Sequence, residues 1–187
     1  MKALPVIYLT FDDGPTKELI PWILDVLESY DARATFFCLG SQVERYPENF
    51  RAILEAGHAL GNHTYSHLNG WTTSNRKYFA DIDRASQLIE SRLFRPPYGR
   101  IRPSQYFRLR RDYRFIFWDL LSRDYDPRQT PGKILERLRQ KVRPGSVVVF
   151  HDSLKAEANL KGVLPEFLKG AQKLGYECHT LAVPQSK

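Results

Sequence analysis

The sequence is short of cysteine, of long apolar runs and of linker-like segments, and each shortage excludes a class of protein. Only two cysteines occur among 187 residues. Cys38 and Cys178 lie in separate apolar runs, which favours two buried free thiols over a disulfide or a cysteine metal site. No apolar stretch is long enough to cross a bilayer. No Gly/Ser-rich or Pro-rich linker divides the chain, so we expect a single domain over residues 1–187.

The start of the chain and its net charge say little about location and partners. Residues 1–5 run directly into an apolar segment and leave no room for a secretory signal, which predicts a cytoplasmic protein or an exported one whose leader has been removed. The net charge of +7 suits nucleic acid, a membrane or an anionic polymer. The basic residues are dispersed, however, and their one cluster, residues 107–114, is typical of a solvated helix face. We therefore expect no nucleic-acid partner. We also expect no membrane segment and a monomeric protein.

Short apolar runs alternate with amphipathic stretches along the whole chain. The predicted strands are residues 6–11, 34–39, 59–62, 94–96, 115–119, 146–150 and 176–181. The predicted helices are one with Pro21 at its first position, then 47–57, 75–93, 103–112, one capped by Thr130, and 160–174. Because each helix supplies the crossover that a parallel strand pair needs, the pattern indicates a parallel α/β sheet, either a barrel or an open doubly wound sheet.

The conspicuous polar residues follow the predicted strands. They are Asp12 and Asp13 after the first, His63 and His67 after the third, Arg95 at the fourth, Asp119 and Asp124 after the fifth, and His151 at the end of the sixth. In a parallel α/β barrel the carboxyl ends of the strands share one face, where active sites are built. The sequence therefore predicts that these side chains converge.

Two histidines and an aspartate doublet suggest a metal site. His63 and His67 are four residues apart and could reach one ion if the segment turns helically. Adjacent carboxylates repel each other and need water or a cation beside them. Two imidazoles with one carboxylate form the three-ligand set of a catalytic zinc or similar ion, and the other carboxylate could then take a proton from water. The alternative is a solvated turn with structural histidines.

Five motifs in order carry a family resemblance: TFDDGP, HTYSH, RPPYG, WDLLSRDY and VVFHDS, which span Thr10 to Ser153. They resemble the motifs of the polysaccharide deacetylase family, also called NodB-like or carbohydrate esterase family 4. The resemblance implies a distorted (β/α) barrel with about seven parallel strands. It also implies a metal-dependent hydrolase that removes acetyl groups from N-acetylated amino sugars of a peptidoglycan-like or chitin-like glycan.

The resemblance also implies a role for each motif residue. Asp13, His63 and His67 would hold one divalent metal ion, zinc first and cobalt, nickel or manganese as alternatives. Asp12 would be the general base that Arg95 positions, Tyr98 would give a backbone N–H to the oxyanion, and His151 would be the general acid that Asp124 orients. The expected substrate pocket comprises Val147, Val149, Pro97, Trp118 and Tyr125.

Two positions of the fourth motif depart from the family pattern, and two other functions compete. Tyr125 stands where the family commonly has tryptophan, and Leu121 stands where an aspartate often occurs, so we expect the groove wall and its polar surroundings to differ there from the family pattern. One alternative is a related metal-dependent amidase of a small N-acyl compound. The other is a catalytically silent carbohydrate-binding homologue, which the retained base, ligands and acid argue against.

Overall fold

A curled sheet of parallel strands organises the chain in a computed structural model that describes residues 5–181. The strands are β1 Val6–Asp12, β2 Ala34–Cys38, β3 Ala59–Asn62, β4 Leu93–Phe94, β5 Arg114–Phe115, β6 Leu120–Leu121, β7 Val147–His151 and β8 Glu177–Cys178. Seven of them follow the order β5-β4-β3-β2-β1-β7-β6, and β8 pairs with the start of β1. Every pair is parallel. The expected distorted barrel is thus confirmed as a curled half-barrel.

Helices connect the strands, as the parallel pairing requires. They are α1 Leu19–Ser29, α2 Gly40–Arg45, α3 Pro47–Glu55, α4 Asn75–Ser86, α5 Pro103–Leu109, α6 Pro131–Lys141 and α7 Glu157–Lys173, with a 3₁₀ turn at Pro97–Gly99. The predicted signals at α3 and α6 are confirmed. Pro47 and Pro131 open these helices, and the Thr130 hydroxyl accepts from the Lys133 amide at 3.4 Å. No helix within residues 5–181 is long and apolar enough to cross a bilayer.

The core lies around the three central strands, β2, β1 and β7. These strands are buried on both faces, which explains why they are nearly continuous apolar runs in the sequence. The Phe11 ring stacks between Phe36 and Phe150, with centroids 4.9 Å and 5.8 Å away. Cys38 and Cys178 are both buried and free, as expected.

One predicted strand, residues 115–119, is wrong, because the chain there forms two short strands at opposite ends of the sheet order. β5 ends at Phe115 and β6 begins at Leu120. Between them the carbonyls of Ile116 and Phe117 accept from the Arg95 side chain rather than forming a new strand ladder. Asp119 precedes β6, and its carboxylate accepts from the amide of Val147 at the start of β7. Its predicted place at the carboxyl ends of the strands is therefore wrong as well.

Several helix and strand bounds also differ from the predictions. α1 begins at Leu19, two residues before Pro21, which the first turn tolerates because its amides need no intrahelical partner. α4 ends at Ser86 rather than near residue 93, and Ser91 then bonds the Leu60 carbonyl at 2.6 Å and leads into β4. The short helix α2 was not predicted.

Candidate active site

The carboxyl ends of the strands surround a cavity of about 410 Å³ that collects most of the predicted site residues. Its wall includes Asp12, Asp13, His63, His67, Tyr98, Trp118, Tyr125, Val149 and His151. Arg95 and Asp124 lie behind this wall and contact the lining residues. The convergence predicted from strand ends is present in the structure.

Two predicted pocket residues do not line the cavity. Val147 shares a strand face with Val149 but lies one pleat repeat, about 6.6 Å, further from the carboxyl end. It packs against the cluster of Phe37, Leu93 and Ile116. Pro97 is buried at the start of the 3₁₀ turn. Pro96 and Leu121 line the cavity instead.

Asp13, His63 and His67 form a cluster whose geometry fits one divalent ion. Oδ1 of Asp13 lies 3.7 Å from Nε2 of His63 and 3.2 Å from Nε2 of His67. Two ligand atoms about 2.1 Å from a tetrahedral ion would be about 3.4 Å apart, and the two measured separations lie on either side of this value. This buried Oδ1 has no hydrogen-bond partner in the described chain, as expected of an atom that awaits a cation.

Each imidazole is oriented through its other nitrogen. Nδ1 of His63 lies 2.7 Å from the carbonyl oxygen of Arg95, to which it donates, and the Nε2 lone pair therefore faces Asp13. Nδ1 of His67 lies 3.2 Å from the hydroxyl of Tyr98. Burial lowers the pKa of His63 and favours the neutral, ligating form. Burial acts to raise the pKa of Asp13, but the close approach of Nε2 of His67 and the charges of His63 and His151 hold it well below its usual value.

The two histidines meet through a left-handed turn and not through a helix, contrary to the condition stated for their spacing. Thr64 and His67 have φ angles of +68° and +58°. The Asn62 side chain accepts from the amide of Thr64 at 2.8 Å, and Asp81 accepts from the amides of Tyr65 and Ser66. In a helix these backbone amides would be bonded to backbone carbonyls. Here the side-chain oxygens accept from them instead and hold the irregular backbone in place.

Arg95 binds Asp12 inside the sheet. Its side chain is fully buried, and Nη1 lies 2.7 Å from Oδ1 of Asp12 and 2.8 Å from the hydroxyl of Thr10. The remaining nitrogens donate to the carbonyls of Ile116 and Phe117. Oδ1 of Asp12 is thereby fixed, whereas Oδ2 receives no hydrogen bond from residues 5–181 and can accept a proton.

His151 faces Asp12 and Asp13 from β7 and is held by Asp124. Nδ1 of His151 lies 2.7 Å from Oδ1 of the fully buried Asp124, whose Oδ2 accepts from the His151 amide at 2.9 Å. Burial disfavours the imidazolium, but the hydrogen bond and charge of Asp124, with the charges of Asp12 and Asp13, raise the pKa of His151 to about 9. At neutral pH the side chain is therefore a proton donor.

Comparison with known proteins agrees with this arrangement. The sequence model of the polysaccharide deacetylase family matches residues 2–111, and a peptidoglycan-N-acetylglucosamine deacetylase from Bacillus cereus is 33% identical across 95% of this chain and 86% of its own length. The chain belongs to the polysaccharide deacetylase family. A chitooligosaccharide deacetylase from Azorhizobium caulinodans is 33% identical across 78% of this chain and 73% of its own.

A solved structure shares the fold of this polysaccharide deacetylase family member. Peptidoglycan deacetylase PdaC from Bacillus subtilis superposes with a TM-score of 0.86 and 32% identity, over 95% of this chain and 88% of that chain. The expected resemblance and the expected hydrolase of the polysaccharide deacetylase type are both confirmed.

Backbone strain in this family member is concentrated at the site. Six non-glycine residues among those described have positive φ, and five of them lie on the loops around the cavity: Asp13, Thr64, His67, Tyr98 and Arg123. Such conformations cost roughly 1–3 kcal/mol each and persist only where the surroundings impose them.

Sequence reasoning missed Asp152, which supports the Asp13 loop. Its side chain is buried beside β1, and Oδ1 accepts from the amide of Gly14 at 2.9 Å. A Cβ at Gly14 would lie 1.5 Å from Oδ2 of Asp152, so only glycine fits there. Burial and the charge of Asp13 raise the pKa of Asp152 well above its usual value. The adjacent His151 and the DDG triplet were the signals that could have indicated this contact.

Proposed function

We propose that the protein is a metal-dependent N-deacetylase of N-acetylated amino sugars within a glycan, and that residues 1–187 form one monomeric catalytic domain. One observation carries the proposal. The Asp13, His63 and His67 cluster, the Arg95-bound Asp12 and the Asp124-bound His151 all face a single cavity. An ion site, a base and an acid are the three components of metal-assisted amide hydrolysis by water.

The Asp13, His63 and His67 cluster supplies the metal site of the proposal, with zinc as the first candidate because two imidazoles and a carboxylate suit it. A divalent ion bound there would lower the pKa of a water molecule and polarise the acetyl carbonyl. The orphaned Oδ1 of Asp13 and the two Nε2 atoms are the ligand atoms.

Asp12 is the proposed general base. Its Oδ2 is free to accept the proton of the attacking water while Arg95 fixes the other oxygen, so the carboxylate needs no reorientation during the reaction. The backbone N–H of Tyr98, on a residue with a φ of +61° that lines the cavity, is the proposed donor to the carbonyl oxygen as negative charge develops there.

His151 is the proposed general acid. Its Nδ1 is occupied by Asp124, so Nε2 is the nitrogen that gives a proton to the departing amine. An amide nitrogen leaves poorly unless it is protonated, and a histidine whose pKa is about 9 supplies the proton at neutral pH. Acetate and a free amino sugar are the products.

The cavity wall supports an acetylated sugar as the substrate. Val149 and Leu121 offer an apolar surface to an acetyl methyl group, and Trp118 lies beside them on the wall. Tyr98 and Tyr125 are 60% and 40% exposed on the same wall, which suits stacking against a sugar ring. The relatives named as peptidoglycan and chitooligosaccharide deacetylases support a glycan as the larger substrate.

The test is acetate release from soluble N-acetylglucosamine oligomers by zinc-loaded protein. We expect release by the wild type, and a loss of about 10²- to 10⁴-fold in Asp12→Asn, because the base is removed. Asp25→Asn, on the exposed face of α1, is the matched control and should retain activity. A chelated sample should be inactive.

Two results would contradict the proposal. Full activity of Asp12→Asn would exclude Asp12 as the base. Metal binding without acetate release from any oligomer length would favour an amidase of small N-acyl compounds.

A further inference from the structure

Two unpaired cations stand at the mouth of the catalytic cavity. Arg100 and Lys155 both line it and both are exposed. Arg100 follows β4 and Lys155 follows β7, so β3, β2 and β1 lie between them in the sheet. Within residues 5–181 neither side chain forms an ion pair. A substrate that reaches Asp12 and Asp13 enters between two positive charges.

The acidic groups near these cations are already engaged. Asp12 and Asp13 are the carboxylates on the cavity wall, and they belong to the Arg95 pair and the proposed metal cluster. An adjoining depression, which shares Lys155 with the cavity, adds Lys17 and Arg45 and one acid, Glu18. Glu18 lies 4.0 Å from Lys17. The surroundings of the mouth therefore retain a surplus of positive charge.

Arg100 is held in place by an exposed tryptophan. Its guanidinium lies 5.1 Å from the ring centroid of Trp71. Trp71 is 56% exposed yet fixed, because its indole N–H donates to the Ile101 carbonyl and its own carbonyl accepts from Arg102 at 2.6 Å. A guanidinium stacked on a ring keeps its N–H edge free for a carboxylate and loses little further freedom on binding.

We propose that Arg100, held by Trp71, and Lys155 form an anion subsite that selects glycans with a carboxylate on or next to the acetylated sugar. This inference rests on the proposed deacetylase function and narrows its substrate class to acidic glycans. A neutral oligomer would partly desolvate both cations without pairing them, whereas a carboxylate gains charge-assisted hydrogen bonds to either one. Lys155 and Arg100 are specificity residues in this proposal, not part of the acid–base chemistry.

The test compares two tetrasaccharides that differ only in charge. One alternates N-acetylglucosamine with N-acetylmuramic acid and has free lactyl carboxylates, and the other is its methyl ester. We expect the wild type to have a higher kcat/KM for the free acid, with a preference that falls as salt rises. Arg100→Gln should reduce that preference about tenfold, chiefly through KM, as expected for loss of one charge-assisted hydrogen bond.

Matched variants separate this subsite from general charge effects. Lys155→Gln should also reduce the preference, and Trp71→Ala should reduce it less than Arg100→Gln because the guanidinium remains. Lys169→Gln removes one charge from the exposed face of α7 and should leave the preference at the wild-type value. Equal kcat/KM for acid and ester in the wild type, or a preference that Arg100→Gln does not alter, would overturn the inference while deacetylation itself stands.

Binding measurements keep the two proposals distinguishable. Calorimetry with zinc-loaded Asp12→Asn reads the affinity for acid and ester without turnover. The anion subsite is supported if Asp12→Asn binds the acid more tightly than the ester and if adding Arg100→Gln abolishes that difference. This result supports it even if the wild type releases no acetate. Equal binding of both probes overturns it.

Discussion

Replacement of Asp124 by asparagine should move the alkaline limit of activity to lower pH. Asp124 is fully buried, and its carboxylate lies 2.7 Å from Nδ1 of His151. Its hydrogen bond and charge are the main influences that raise the pKa of His151 to about 9 against the opposing effect of burial. Asparagine retains an oxygen acceptor for the ring but removes the charge that stabilises the imidazolium.

The size of the effect follows from the protonated fraction. At pH 8 a histidine of pKa about 9 is about 90% protonated, whereas one at the ordinary 6.5 is about 3% protonated, a difference of about 30-fold. We therefore expect kcat at pH 8 to fall about 30-fold in Asp124→Asn and to recover toward pH 6. A cation bound near Asp13 lowers the pKa of His151 in both proteins, so the measured quantity is the displacement between the two pH profiles.

Stability provides a second measurement of the same coupling in metal-free protein. A histidine whose folded pKa is raised stabilises the fold fully below its unfolded pKa of about 6.5 and loses that contribution as pH rises through about 9. The shift corresponds to about 3 kcal/mol of unfolding free energy, which Asp124→Asn should remove. Asp25→Asn is the control for both assays. Equal loss of kcat at every pH, with no displacement of the alkaline limb, would refute the coupling.

Three further changes test other parts of the site. Arg95→Met should lower the free energy of unfolding by about 3–5 kcal/mol in urea titrations, because Asp12 is left as a buried unpaired charge. The double variant Arg95→Met/Asp12→Asn should recover part of that free energy. Strictly additive losses from the two substitutions would contradict the pairing. Zinc at 100 times its dissociation constant should stabilise the wild type by about 2.7 kcal/mol in thermal melts, whereas His63→Gln should show no shift and the exposed His179→Gln the full shift. Gly14→Ala should destabilise the protein by about 1–3 kcal/mol and reduce activity because its Cβ meets Asp152, whereas Gly132→Ala, with open space at its Cβ, should not; equal melting temperatures would count against the contact.

The sequence predicted the site better than the elements around it. Asp12, Asp13, His63, Arg95 and His151 could be placed together because each follows a strand, and parallel strands bring their carboxyl ends to one face. The strand predicted at residues 115–119 was wrong because the carbonyls of Ile116 and Phe117 accept hydrogen bonds from Arg95. The apolar pattern of this segment gives no sign of a partner so distant in sequence. Val147 was assigned to the pocket from the family resemblance together with Val149, and the two residues share a strand face but lie at different depths along the strand.

The residues that sequence reasoning missed depend on loop geometry. Arg100 and Lys155 are ordinary surface cations in the sequence, and only the strand order sets them on either side of β1. Asp152 is adjacent to a predicted catalytic histidine, but its partner is a backbone amide 138 residues away. Any residue except proline can donate a main-chain N–H, so such a bond does not restrict the residue type of the donor. The one restriction here is the glycine that the close approach of Asp152 requires.

The Arg95 side chain has a consequence for which parts of this fold can vary. Arg95 directly follows β4, and its side chain donates to Thr10 and Asp12 on β1 and to carbonyls of the segment between β5 and β6. One side chain thus bridges the curled sheet. The same side chain therefore links both ends of the sheet and fixes Oδ1 of Asp12. The rim loops can therefore vary in sequence without disturbing these bonds, whereas a change at Arg95 would affect the central strands and Asp12 at the same time.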